Sequence, residues 1–97
     1  MITTKQRSYL RSLANNMDPI FQVGKNGVEE NFLKQVDQAL EARELIKIKA
    51  LENSGLTARE VSDYICKALN CEGVQAIGSK LVIYRKAKKN PKIELPL

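Results

Sequence analysis

Residues 44–51 read Glu44-Leu45-Ile46-Lys47-Ile48-Lys49-Ala50-Leu51. Over the centre of this run Lys47 and Lys49 fall on one side, and Ile46, Ile48 and Ala50 on the other, which is the two-residue period of a strand with one face buried. Such a strand needs paired neighbours and a cover, and the flanking sequence supplies both. Upstream, Val28, Phe32, Val36, Ala39 and Leu40 keep helical spacing, so a helix is expected from near Val28 to near Ala42, with Glu29 and Glu30 in its first turn. Before it, Ile20-Phe21-Gln22-Val23 reads as a short strand, joined to the helix by Gly24-Lys25-Asn26-Gly27. Downstream, Asn53-Ser54-Gly55 breaks the central strand, and Thr57 with Glu60 forms a capping box that opens a helix running to about Leu69. Val61, Tyr64, Ile65, Ala68 and Leu69 make its inner stripe.

The two ends complete the order. Thr3 with Gln6 is another capping box, for a helix over about residues 4–16 whose stripe is Tyr9, Leu10, Leu13, Ala14 and Met17. Arg7 and Arg11 stack four apart on its flank, with Lys5 and Ser8 nearby. Asp18-Pro19 stops the helix. Val74–Ile77 and Lys80–Arg85 are two strands around Gly78-Ser79, a two-residue loop with glycine first, as a type II′ hairpin requires. The sum is helix–strand–helix–strand–helix–strand–strand: an α/β two-layer sandwich with a four-stranded mixed sheet. Residues 1–85 form one domain. Residues 86–97, Lys-rich and carrying Pro91 and Pro96, have little to pack and are expected to form an extended or frayed tail.

Composition removes several function classes. The chain has 97 residues and no histidine, so the commonest general base and the usual zinc ligand are missing. Cys66 and Cys71 do not make a C-x-x-C pair and read as reduced thiols in or near the core. No metal or other cofactor and no small-molecule substrate is expected. Glu29 and Glu30 could hold a metal only with a third ligand, and adjacent helical residues point apart; an enzyme is not expected. Gly73 through Lys80, G-V-Q-A-I-G-S-K, imitates a nucleotide-binding loop, but its Ser precedes its Lys and a strand follows. No apolar run approaches the roughly 20 residues of a membrane span, and the first residues lack the apolar stretch of a secretion signal. A cytoplasmic monomer is the expectation.

The net charge of +5 is unevenly placed. Residues 1–28 carry +3, residues 29–72 carry −3, and residues 73–97 carry +5. If folding brings the two ends to one face, that face suits phosphate. One loop could hold it: in Gly24-Lys25-Asn26-Gly27 the glycines permit close approach of a ligand, Lys25 adds charge, and the following helix start offers free amides. The same short pattern also serves as an ordinary strand-to-helix turn. Of the aromatics, Tyr9, Phe21, Phe32 and Tyr64 read as core, and core packing is preferred over base stacking for Tyr84.

Four blocks in order are similar to a known family: Lys5-Gln6-Arg7-Ser8-Tyr9-Leu10-Arg11-Ser12-Leu13-Ala14, Pro19 through Gly27, Glu44 through Lys49, and Gln75 through Arg85. Together they resemble the CRM domain in its stand-alone bacterial, YhbY-type form, over residues 3–85. The resemblance implies a fold like the C-terminal domain of translation initiation factor three with an extra N-terminal helix. It also implies RNA binding, association with precursors of the large ribosomal subunit in bacteria, and kinship with plant proteins of organelle intron splicing. By the same resemblance the G-x-x-G loop falls on Gly24, Lys25, Asn26 and Gly27, and the basic surface on Lys5, Arg7, Arg11, Lys47 and Lys49.

The function expected from the sequence is therefore RNA binding in large-subunit assembly, without catalysis. Loop and Lys25 clamp the backbone, Arg7, Arg11, Lys47, Lys49 and Arg85 extend a positive track, and Lys86, Lys88, Lys89 and Lys92 add diffuse attraction. The alternative is a protein-interaction module docking on ribosomal proteins or assembly factors without touching RNA.

Overall fold

The computed structural model describes residues 1–97. Both capping boxes form. The Thr3 hydroxyl accepts the Gln6 N–H and the Gln6 side chain accepts the Thr3 N–H, starting α1 (Thr4–Ala14). Thr57 and Glu60 do the same for α3 (Ala58–Leu69). The helix between them, α2 (Glu30–Arg43), begins two residues later than its periodicity suggested, because Glu29 serves as its cap without a side-chain bond. The strands are β1 (Phe21–Val23), β2 (Leu45–Ala50), β3 (Glu72–Ile77) and β4 (Lys80–Tyr84), and a single 3₁₀ turn occupies Glu52–Ser54. Of the two loop residues Gly78 and Ser79, only Gly78 takes positive φ (+60°), as the type II′ reading requires.

Strand order, which periodicity could not give, is β1-β2-β4-β3. β1 pairs parallel with β2, and β4 lies antiparallel between β2 and β3. The sheet is thus mixed, with β1 and β3 at its edges. Ile46, Ile48, Leu81 and Ile83 face α2 and α3 and join Val36, Leu40, Val61 and Ile65 in the larger core. Phe21 and Phe32 meet edge-on there, ring centres 5.7 Å apart. This sheet and helix pair make the expected two-layer sandwich. The N-terminal helix α1 covers part of the opposite face, where Leu10 and Ala14 pack on Leu45, Val74, Val82 and Tyr84.

Two helical stripes are rotated from their expected setting. Tyr64 is 58% exposed, and Ser62 is buried in its place. A Cβ on Gly73 would sit 3.2 Å from the Ser62 Oγ, so this small-on-small contact holds α3 close to β3 and turns Tyr64 outward. On α1, Tyr9 and Leu13 are half exposed: Leu10 and Ala14 are its buried residues, and Ile2, Met17, Ile93 and Leu95 pack around them over the sheet.

The tail differs most. Residues 86–97 adopt no regular structure, yet they do not lack packing: Ala87 is buried, and Ile93 and Leu95 lie against the smaller core beside α1. The cause is Glu44. Expected as the first residue of a strand, it caps α2 with φ +68° and is fully buried. Its Oε2 accepts the Ala87 N–H at 2.8 Å, and its Oε1 accepts those of Lys92 at 2.6 Å and Ile93 at 2.8 Å. Burial pushes this carboxyl up, but the three N–H donors more than offset it, and the pKa lies below the ordinary value. Glu41, one turn earlier, accepts the Lys88 and Lys89 N–H groups, which lower its pKa. Gln6 completes the seam by donating to the Pro96 carbonyl at 3.0 Å.

Candidate nucleic-acid interface

The face of the sheet carrying α1 is only partly covered, and its register decides what the open part presents. Lys49 of β2 pairs with Gln22 of β1 on one side and Lys80 of β4 on the other, and Lys80 pairs in turn with Ile77 of β3. This row, Gln22–Lys49–Lys80–Ile77, crosses all four strands. The next row places Lys47 beside Val82 and Val82 beside Gln75. Side chains two apart on a strand share a face, so Lys47, Lys49 and Lys80 project together from the side that α1 leaves open.

Each end of these rows reaches another expected element. Gln22 lies two residues before the glycine loop and lines a shallow recess of about 260 Å³ with Gly24, Lys25, Asn26, Gly27 and Glu29. The Gly27 N–H donates to the Gly24 carbonyl at 2.9 Å, closing a β-turn with exposed Lys25 and Asn26 at its apex. Gly27 needs its glycine, having φ +67°. Gly24 does not: its φ is ordinary, and an added Cβ would meet Asn53 at 3.8 Å and Leu51 at 4.0 Å, normal contacts. Folding therefore does not demand a bare backbone at Gly24. At the other end, Gln75 and Ile77 line a cleft of about 630 Å³ between α1 and α3 along the edge of β3. Its walls bear Arg7 and Arg11 from α1 and Arg59 from α3. Arg7 Nε donates to the Gly73 carbonyl at 3.1 Å, and exposed Arg59 meets Asp63 at 3.3 Å.

The expected residues thus divide. Arg7 and Arg11 line the cleft that Ile77 reaches at one end of the first row. Lys49 and the turn Gly24–Gly27 lie toward the other, with Lys47 two residues before Lys49 on the same face. Lys5 is exposed but precedes Arg7 by two positions, which is about 200° around a helix, so it points away from the cleft. Arg85 lies elsewhere. Its side chain is only 16% exposed, and its guanidinium donates to the Asp37 carboxylate at 2.6 Å and to the Leu69 carbonyl at 3.3 Å. It ties α2 to the end of α3. Lys86, Lys88, Lys89 and Lys92 follow the tail to Glu41 and Glu44, at the end of α2 remote from the turn. A 14-residue helix spans about 20 Å, so the tail lysines do not flank the glycine loop. Tyr84 is buried, as expected for core.

Sequence reading missed Lys80, Arg59 and the two glutamines. Lys80 carried a signal, since it alternates with Val82 on a strand. Arg59 carried none, because only the strand order brings α3 beside β3 and α1. No three Cys, Asp or Glu side chains gather where they could hold a metal ion, and no helix is long and apolar enough to cross a membrane.

This arrangement has relatives. The model of the CRS1 / YhbY (CRM) domain matches residues 2–85. A Bacillus subtilis protein named Probable RNA-binding protein YqeI is 47% identical over 99% of this chain and 100% of its own. A Haemophilus influenzae protein named RNA-binding protein is 35% identical over 98% of this chain and 95% of its own. Among solved structures, the solution structure of a hypothetical protein from Staphylococcus aureus superposes with a TM-score of 0.81 at 50% identity, covering 99% of this chain and all of that one.

Proposed function

From the premise that this chain belongs to the CRS1 / YhbY (CRM) domain family, we propose that it is a non-enzymatic RNA-binding protein that assists assembly of the large ribosomal subunit. The observation that carries the RNA reading is the cross-strand register that joins the glycine turn to the arginine cleft through Lys49, Lys80 and Lys47. A single RNA strand lies across the open sheet. Backbone amides of the turn and Lys25 hold one phosphate, and Gly24 lets that phosphate come close. Lys47, Lys49 and Lys80 neutralise the next, and Arg7, Arg11 and Arg59 take the strand at the edge of β3. The relatives' names support this partner.

Recognition is of backbone and shape. The open face offers lysines and arginines in plenty, while Phe21, Phe32 and Tyr84 are turned into the protein, leaving few rings for bases to stack on. The protein acts as a monomer in the cytoplasm. The large-subunit assignment rests on the family resemblance and is tested by crosslinking in cells with sequencing of the bound RNA, comparing the native chain with Lys25→Glu. Enrichment of large-subunit ribosomal RNA that falls with Lys25→Glu is expected. Recovery of other RNA alone would overturn the assembly role. Binding to a ribosomal protein that survives charge reversal at Lys25 and Arg11, but not apolar changes on the sheet, would replace the RNA reading with the protein-docking one.

A further inference from the structure

We propose that Cys66 and Cys71 form a peroxide-reactive pair, with Cys66 the attacking thiol and Cys71 the resolving one, closing to an intrachain disulfide. The geometry comes from the end of α3. Asn70 takes the left-handed conformation (φ 56°, ψ 52°), and its N–H and that of Cys71 both donate to the Cys66 carbonyl, the latter at 3.2 Å. Closure of this kind brings the second residue beyond the helix onto the residue five before it, usually as an apolar contact. Here both positions are cysteine, and the Cys71 Sγ–H donates to the Cys66 Sγ at 3.3 Å. Little motion separates this contact from the roughly 2.05 Å of a disulfide.

The two thiols differ in access and in proton affinity. Cys66 is half-buried, whereas Cys71 is packed in the larger core. The hydrogen bond from Cys71 outweighs burial and, with the Ser62 hydroxyl, holds the Cys66 thiol below its ordinary value; nearby Glu72 and Asp63 oppose it. The same bond and burial push Cys71 up. A thiolate is the reactive form. The Cys66 thiolate attacks one oxygen of a hydroperoxide: the S–O bond forms, the O–O bond breaks, and the departing oxygen takes a proton to leave as water or an alcohol. Cys71 sulfur then attacks the Cys66 sulfenic acid. The S–S bond forms, the S–O bond breaks, and the hydroxide leaves as water with the Cys71 proton. Two electrons pass from the thiols to the peroxide. Cys71 packs on the α2/α3 side of the sheet, away from Lys47 and Lys49, so this chemistry stands apart from RNA binding.

The test treats the reduced full-length chain with hydrogen peroxide, then unfolds it, alkylates with N-ethylmaleimide and measures intact mass. The native chain is expected to lose two hydrogens, take no label, stay monomeric without reductant, and recover both thiols with dithiothreitol. Cys71→Ala is expected to trap a dimedone adduct at Cys66, and Cys66→Ala to leave Cys71 unmodified at the same dose. Should a variant fail to fold, the native chain alone decides, since urea is expected to slow disulfide formation several-fold by releasing the helix end. Retention of both thiols, disulfides only between molecules, or an equal rate in urea would each overturn the proposal.

Discussion

Replacing Glu44 by Gln tests how the tail is held. The substitution keeps size and shape but turns one acceptor oxygen into a donor, facing N–H groups already aimed at it. Hydrogen bonds to a charged group contribute about 1.5–3 kcal/mol each, and a stranded buried donor costs about 1–3 kcal/mol. Glu44 accepts three such bonds, partly offset by the cost of burying the carboxylate. A net loss of about 2–4 kcal/mol is expected, since at least one bond is lost and one donor stranded. For a domain near this size each kcal/mol shifts Tm by roughly 4–8 °C, so thermal and urea melts read the effect easily. Amide exchange at Ala87, Lys92 and Ile93 should show protection in the native chain and lose it in Glu44→Gln. The folded pKa of Glu44 is lowered, so its contribution is complete above the unfolded carboxylate value and is lost as pH falls through the folded one; the variant should lack this acid-side slope. A loss below about 0.5 kcal/mol, the range of neutral surface changes, would refute the clamp, as would unprotected tail amides in the native chain.

Gly24→Ala should leave stability within about 0.5 kcal/mol, since its Cβ meets only ordinary contacts, while weakening RNA binding; a melt paired with a fluorescence titration separates the two. Arg85→Ala should cost about 2 kcal/mol by removing a charged hydrogen-bonded tie and leave RNA affinity unchanged, which the same two assays check. Thr57→Ala should cost about 1 kcal/mol through the lost cap of α3, seen in urea melts with an unchanged m-value.

Where contacts are local, the sequence was legible. Capping boxes, the hairpin turn and the alternation of Lys47 and Lys49 each rest on residues within four positions of one another, so the three helices and four strands could be read, while the 3₁₀ turn at Glu52–Ser54 showed only as a break. The open cationic face was half legible: Lys47 and Lys49 announce themselves, but joining them to Arg11 and Lys25 requires the strand order, a property of pairings between distant segments. Arg85 misled because its charge looked free, whereas its partner Asp37 lies 48 residues earlier in the chain. The tail misled for the same reason. Its lysines suggested solvent, and only Glu44 and Glu41, more than forty residues upstream, reveal that its backbone is fastened.

The most direct measurement is the salt dependence of affinity for a single-stranded RNA, for the native chain, Lys49→Ala/Lys80→Ala and Lys88→Ala/Lys89→Ala. About four to six neutralised phosphates give a log–log slope of roughly −3 to −4, and each phosphate contact removed should flatten it by about 0.7. The sheet pair should bind more weakly with a shallower slope, and the tail pair should match the native chain. A native slope near zero, or a loss confined to the tail pair, would contradict an RNA strand lying across the open face between the glycine turn and the arginine cleft.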